Sequence, residues 1–482
     1  MVKKALIIGK HPIAENLIRQ YEGIGIVIEQ QQSMVVDGVS INDYEELCLL
    51  PNLGEDNKAV MMLEELGSVY DLDKHDGKRL KCHLLLHNND SLQMLHTCDL
   101  CIAVKQIIDI YPFTMDEVWS RSIVLDYEPI TIQCEKHVHL VIFGMDDVAE
   151  MVAIQAAHVA HYPNYVRNHS LRTRITMIDT NAEQKSDGFI KRYHHLFDNS
   201  YYRIVKPSEE KAVVRFHKPM YEGKREDFVD VEWEFVEAEM WNAEVREKLK
   251  LWAKDEKQLL TVVMANSDED KNAAQALYLP NELYEHSIPI HIYNKQNEGY
   301  DVTLPLVRMA KNVKYVYEQC YMQNDSKWSG NMLWSVEIDR EERERLWAEE
   351  SNVKRMSCIY NAMTIPTKMR SLGLDENDWD KFYDIPQQDI EIMAQVEHNR
   401  WSVEELILGF RPCTDEEQDK IAADVKKQKG AYKARKIHYD LRAYNDLRPD
   451  GTGKPVQVYD LCLTSCLPLI AKAFADEKGG EV

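Results

Sequence analysis

Two short turns carry the residue types that a phosphate-bearing ligand needs. The first is Gly9-Lys10-His11-Pro12-Ile13-Ala14, between an apolar run and a helical stripe. A dinucleotide-binding turn uses glycine for a tight bend, for close approach of the backbone to pyrophosphate and for helix–sheet contact. Gly9 and Ala14 hold the first and last positions of that pattern, and His11 stands at its middle glycine. Glu29 closes the next apolar run twenty residues after Gly9, the spacing of an acid that accepts hydrogen bonds from a ribose. Lys10 and His11 suit a phosphate at a helix N-terminus. The second turn, Gly144-Met145-Asp146-Asp147-Val148-Ala149, keeps Gly144 and Ala149 but has Asp146 in the middle. Its carboxylates are good helix caps and would repel a pyrophosphate. Asp179 ends the following strand, 35 residues after Gly144. These residues predict NAD or another adenine nucleotide as cofactor. They also fit turns that are fold elements only and bind nothing.

A third group lies near the C-terminus. His398 and Trp401 are three residues apart on one helix face. Arg411, His438, Tyr444 and Asp460 are candidates to converge on them. An aromatic platform with a guanidinium and hydrogen-bonding side chains suits a nucleobase or phosphate. The alternative is a buried polar network that locks the helices together.

Other chemistries find less support. Cys98-Asp99-Leu100-Cys101, with His96 before it, has no second pair at zinc-finger spacing, and no metal is expected. His158 and His161 share a helix face, and His194 and His195 are adjacent, without acid or thiol partners placed by sequence. Ser170, Ser200 and Ser335 lack a nucleophile-elbow context, and no P-loop lysine motif is present. No catalytic residues are assigned.

These groups need elements to position them. Through residues 1–130, apolar runs at Ala5–Gly9, Gly25–Glu29, Leu47–Leu50, Lys81–Leu86 and Cys98–Val104 alternate with helical patterns. Such alternation predicts a doubly wound parallel sheet. The pattern restarts at His137. Strands are expected at Val138–Phe143, Arg174–Ile178, Leu259–Met264 and Ile290–Tyr293, with Val313–Tyr317 closing the sheet. Phe228–Glu237 reads as an inserted strand with one wet face. From about Glu337 the patterns are helical, with a loop at Gly451–Gly453. The reading is α/β: two doubly wound Rossmann-like domains, 1–130 and 131–335, that look like a diverged duplication, then an all-α domain, 336–482.

The 482 residues suit about three domains. A hydrophobic content of 44% supports several cores. The net charge of −23 argues against nucleic acid and anionic membranes as partners. No signal peptide is apparent and no apolar run reaches the roughly 18 residues of a spanning helix, so the chain reads as soluble and cytoplasmic. The ten cysteines read mostly as small hydrophobes.

Residues 1–330 resemble tandem TrkA-N-type nucleotide-binding domains, Rossmann-like regulatory domains associated with bacterial potassium transport. The likeness rests on Lys81–His87, on Pro112-Phe113-Thr114 with Arg121 and Glu128-Pro129, on His139–Gly144, on Gln155–His161 and on Ile175–Asp179. The departures lie in the glycine turns. Residues 340–480 resemble the RyR domain, a module repeated in ryanodine receptors and found beside TrkA-N domains in bacteria. Here the carrying segments are Glu397–Trp401, Gly409-Phe410-Arg411, His438–Tyr444 with Leu447, and Tyr459-Asp460, preceded by Tyr360–Gly373. The family's Trp-Tyr-Gly pattern is absent; Phe410, Arg411 and Pro412 stand there. The resemblance implies a helical interaction or ligand-sensing module, with no catalytic mechanism.

Three functions follow as expectations. The first is a non-catalytic regulatory protein, a homodimer, that binds a small nucleotide-like ligand and engages a protein partner through its RyR-type module. The second is an NAD(P)-dependent oxidoreductase. The third is a structural assembly protein whose nucleotide folds are vestigial.

Overall fold

The computed structural model describes residues 3–32, 40–97, 102–124, 130–207, 212–219, 227–294, 299–322, 337–375, 378, 380–449 and 455–479. The first unit contains β1 (Lys4–Gly9), α1 (Ile13–Gly23), β2 (Val27–Gln31), β3 (Glu46–Leu50), α2 (Asp56–Val69), β4 (Leu80–Leu85), α3 (Asn89–Thr97), α4 (Ile102–Ile107), β5 (Ile108–Phe113) and α5 (Met115–Val124). Its sheet is fully parallel, in the order β2-β1-β3-β4-β5. The apolar runs of β1 and β3 lie in the middle, covered on both faces. Polar β2 and Pro-containing β5 take the edges, where a missing N–H or a wet side chain costs least.

The second unit contains β6 (His137–Phe143), α6 (Asp147–Val159), α7 (Pro163–Arg167), β7 (Thr173–Asp179), α8 (Ala182–Arg192), α9 (His194–Asp198), β8 (Tyr201–Lys206), β9 (Val213–His217), β10 (Val231–Glu237), α10 (Ala243–Lys254), β11 (Gln258–Met264), α11 (Glu269–Ala276), α12 (Asn281–Glu285) and β12 (Ile290–Ile292). The strand order is β12-β11-β6-β7-β10-β8-β9, parallel except for the antiparallel β8–β9 edge. The two sheets therefore differ in winding. In the first, the second and third strands flank β1. In the second, the chain adds β7, β8, β9 and β10 on one side of β6 before crossing to β11 on the other.

The third region contains α13 (Pro305–Met322), α14 (Arg340–Glu349), α15 (Asn352–Ser371), α16 (Gln387–Ile407), β13 (Arg411–Pro412), α17 (Asp415–Ala423), α18 (Val425–Lys433), β14 (Ile437–His438), α19 (Gln457–Ser465) and α20 (Leu467–Gly479). It is helical apart from the two-residue β13–β14 pair. Although α13 falls within 131–335, it packs against α14, α15, α19 and α20. Cys320 on α13 and Cys462 on α19 bring their Cα atoms to 6.5 Å, within the span of a disulfide.

Four sequence expectations need correction. Val104 lies in helix α4, and the fifth strand is Ile108–Phe113; residues 98–101 lie outside the described residues, as does the loop at 451–453. Val313–Tyr317 belongs to α13, because the helical period of its apolar residues continues through the whole helix. The stretch 228–237 has no wet face. Its strand β10 is internal, and its acids are neutralised in register: Arg174 Nε donates to Glu232 at 2.6 Å and an Arg203 NH2 group to Glu234 at 2.6 Å. Finally, the differing strand orders do not fit a simple duplication.

The chain returns to the first sheet after β12. Gln20 holds this strap at both ends, donating to the Tyr300 carbonyl at 2.6 Å and accepting from Val302 N at 2.9 Å. Tyr300 stacks on Phe113 with centroids 3.7 Å apart and bonds His83 Nδ1 at 2.7 Å.

Candidate functional site

In open α/β sheets the ligand crevice lies beyond the strand C-termini where the winding reverses. In the second sheet that point falls between β6 and β11. Gly144 ends β6 with φ +115°, and a Cβ there would stand 2.9 Å from the Ala265 carbonyl oxygen. Only glycine lets the chain turn so close to β11. The crevice is lined by Gly144, Asp179, Trp241, Asn266 and Lys271 among others. Asn266 is held rigidly: its backbone N and side-chain amide donate to Asn272 Oδ1 at 2.8 and 2.9 Å, and Asn272 returns a bond of 2.8 Å. Trp241 is 48% exposed and meets Tyr278 edge-on. A base-stacking face, a carboxylate and an ammonium thus share one rim.

At the head of α6, an anion is already built in. Lys185 Nζ lies 2.9 Å from Asp146 Oδ1 and 2.9 Å from Asp179 Oδ2. Ser267 N donates to the other Asp146 oxygen at 3.3 Å. Burial opposes charge on Asp146, but these donors outweigh it and hold its carboxyl below the usual range. Burial likewise opposes the charge on Lys185, and the two carboxylates overcome it, raising its pKa. Asp146 is the N-cap residue of α6, where the helix dipole favours its charge, but its carboxylate accepts from Lys185 and Ser267 N and, contrary to the sequence expectation, makes no cap bond to the first N–H groups of the helix. Asp179 also accepts from Asn181 N at 2.9 Å. Ala149 is packed inside. The arrangement can take sugar hydroxyls at Asp179 and an anion at Lys271, away from the α6 terminus.

The first sheet reverses between β1 and β3. Gly9 has φ +118°, and a Cβ would come within 1.9 Å of the Leu50 carbonyl oxygen. His11 turns inward: its Nδ1 accepts from Ile13 N at 3.3 Å, and its ring lies 5.7 Å from His87. Burial and then the nearness of His87 lower its pKa. Asp56, the first residue of α2, accepts from His87 N at 3.1 Å and Asn88 N at 3.2 Å. Lys10 is exposed and Ala14 buried.

Glu29 does not reach this crevice. The strand runs on to Gln31, and Glu29 pairs in register with Leu6, three residues before Gly9. Its carboxylate accepts from Tyr44 Oη at 2.6 Å and Lys4 Nζ at 3.2 Å, which hold its pKa down. Counting residues placed it at the strand end; the parallel register places it toward the middle.

The helical group converges, with one exception. His398 Nε2 donates to the Arg442 carbonyl at 2.9 Å, and its Nδ1 lies 3.3 Å from Asp460. Its ring centre is 5.5 Å from Trp401 and 5.7 Å from Tyr444, and Trp401 meets His438 at 4.9 Å. Arg411 is turned aside, bonded to both oxygens of Glu417 at 2.8 and 2.7 Å. Beneath lies a buried ladder: Lys368 to Glu397 at 2.6 Å, then Arg400 between Glu397 and Glu404. The interior satisfaction of this group is that of a network that fixes helices against each other.

Sequence reasoning missed Lys185, Asp56, Trp241, Asn266 and Lys271. None belongs to a motif; the strand order alone gathers them. Among the described residues, no three His, Cys, Asp or Glu side chains come together as a metal site, and no helix is long and apolar enough to cross a membrane. His161 pairs with Asp230 at 2.7 Å and His158 stacks on Tyr360.

No family model matches the chain, and no curated protein matches it. Among solved structures, NtrX from Brucella abortus in complex with ADP aligns over 89% of this chain and 100% of that one, at 8% identity and a TM-score of 0.15. A likeness that low carries no argument.

Proposed function

We propose that this chain is a non-catalytic, ligand-sensing regulatory protein. Its second sheet takes a nucleotide-like ligand, NAD or another adenine nucleotide, in the crevice between Asp179, Trp241 and Lys271. The RyR-like helical region relays occupancy to a protein partner. One observation carries this reading. Helix α6 begins at the crevice with Asp146, and its body packs against α15 and α16 of the helical region. A ligand whose hydroxyls compete with Lys185 for Asp179 shifts Lys185 toward Asp146, and so acts on the head of a helix whose flank touches the responding module. Such a shift needs different ligand affinities in the two arrangements.

Self-association belongs to the same reading. Edge strand β9 leaves Val213, Val214 and Phe216 in solvent, and an exposed apolar edge is a template for a second strand. Antiparallel pairing with the same strand of a second copy would make an isologous dimer.

The test is calorimetry and thermal shift with NAD, NADH, ATP, ADP, AMP and cyclic nucleotides. Saturable binding that Asp179→Ala abolishes and Glu29→Ala retains is expected. Folded protein that binds none of them refutes the reading. Light scattering of wild type and Val214→Lys checks the dimer: wild type elutes as a dimer and the variant as a monomer.

A further inference from the structure

A second cavity lies where α3, α5 and α6 meet α15 and α16. All three regions of the chain contribute to its wall. Three polar side chains reach it from the interior: Glu117 is 1% exposed, Gln155 2% and His158 4%. Each carries an atom without a hydrogen-bond partner, namely Glu117 Oε2, Gln155 Oε1 and His158 Nδ1. Leaving one buried polar atom unpaired costs about 1–3 kcal/mol. Three that share one cavity, on two helices, call for a common partner.

The wall also states what that partner is. Asp90, Asp147, Glu150 and Glu404 line the cavity together with Glu117, against Arg192 as the one lining guanidinium or ammonium among the described residues. Arg121 and Arg400 pair with Glu117 and Glu404 from outside the lining. The surplus is negative, so an anion is disfavoured and a cation with N–H donors is favoured. One side of the space is flat and aromatic, where His158 stacks on Tyr360 with centroids 3.8 Å apart and planes 6° from parallel. Through His96 and Met356 the cavity abuts a second, mainly apolar one with Leu95, Ile110, Phe113 and Val307 in its wall.

We infer that this three-way cavity is a ligand site, separate from the crevice of the second sheet, for a small flat aromatic cation of the amidinium or amino-heterocycle class. Its N–H donors meet Glu117 Oε2, Gln155 Oε1 and His158 Nδ1, its ring lies beside the His158–Tyr360 stack, and its apolar end points past Met356. Because the wall includes both α/β units and the helical region, an occupant ties their arrangement together.

Benzamidine is the probe, with benzoate as its anionic counterpart. Binding to the full chain is followed by saturation-transfer NMR and thermal shift, in wild type, Glu117→Gln and Gln155→Leu. Benzamidine is expected to bind and to raise the melting temperature, with no effect from benzoate. Either variant is expected to weaken its affinity by about tenfold, the loss of one charge-assisted or buried hydrogen bond. Gln155→Leu keeps the Glu117–Arg121 pair, so it stays informative if Glu117→Gln does not fold. The inference is overturned if benzamidine fails to bind folded protein, if benzoate binds as well, or if folded Gln155→Leu keeps wild-type affinity. The last outcomes would leave ordered water as the partner of the three atoms.

Discussion

His398 on α16 and Asp460 on α19 face each other at 3.3 Å, Nδ1 to Oδ2. The other ring nitrogen donates to the Arg442 carbonyl. Oxygen acceptors at both ring nitrogens favour the charged form. Burial opposes that charge, but the bond and field of Asp460, the Arg442 carbonyl and nearby Asp440 overcome it, and the pKa is raised above 6.5. The folded protein therefore holds this proton more tightly than the unfolded chain does. Its stabilisation is complete below pH 6.5 and is lost as pH rises through the higher folded value. Melting temperatures across neutral to alkaline pH should fall in wild type, and His398→Gln should flatten that difference. An unchanged slope in the variant would place the proton elsewhere.

His438 behaves in the opposite sense. Its Nδ1 accepts from Asp440 N at 3.2 Å, and burial, against the pull of Asp440, pushes its pKa down to about 3. The unfolded chain gains a proton below pH 6.5 that the folded ring refuses. Stability should fall progressively from there toward pH 3. Replacement by a neutral isostere, His438→Gln, should reduce this acid sensitivity, read from denaturant midpoints at each pH.

Gly9 and Gly144 share a left-handed conformation, but not the same space. An alanine at Gly9 would press on the Leu50 carbonyl, at 1.9 Å, while at Gly144 the nearest atom is 2.9 Å away. Both substitutions should destabilise, by about 2 kcal/mol or more, with Gly9→Ala the worse. Equilibrium unfolding in urea ranks them.

The ladder of Lys368, Glu397, Arg400 and Glu404 is fully inside. Removing one member strands the others: Lys368→Met should cost about 3–5 kcal/mol. The surface group Arg345–Glu349 is well formed but solvated, and Arg345→Ala should leave the urea midpoint unchanged.

Arg355 joins the helical region to the first sheet, reaching Asp109 at 3.1 Å and the Trp347 carbonyl at 2.9 Å. Arg79, Arg355 and Lys311 outweigh the burial of Asp109 and hold its carboxyl low. Arg355→Ala should leave that carboxylate with a weaker field and loosen β5 against α15. Faster amide exchange in β5, with β11 unchanged, is the expected signature.

Local pattern reached far into this fold. The continuous apolar runs of β1, β3, β6 and β11 predict buried parallel strands, and glycine at positions 9 and 144 marks where each first strand must turn. Helices α15 and α16 fall in the stretch after Glu337 where the sequence reads as helical. The helical cluster of His398, Trp401, His438, Tyr444 and Asp460 was also legible as a group. The strand, glycine and helix inferences rest on neighbours in sequence, where period and spacing translate directly into geometry; the grouping of His438, Tyr444 and Asp460 with His398 rested on the resemblance to the RyR module.

Partners across the chain were not legible. Glu29 has the right count from Gly9, yet strand register turns it toward Lys4 and Tyr44. Arg411 is drawn off by Glu417, and Lys185 takes the place between Asp146 and Asp179. The Tyr300 strap and the cavity of Glu117, Gln155 and His158 join segments separated by tens to hundreds of residues. The amino-acid pattern determined which segments are strands and helices and which face of each is apolar. Strand order and the docking of the helical region decided which side chains meet, because such contacts arise only when several buried faces are satisfied at once.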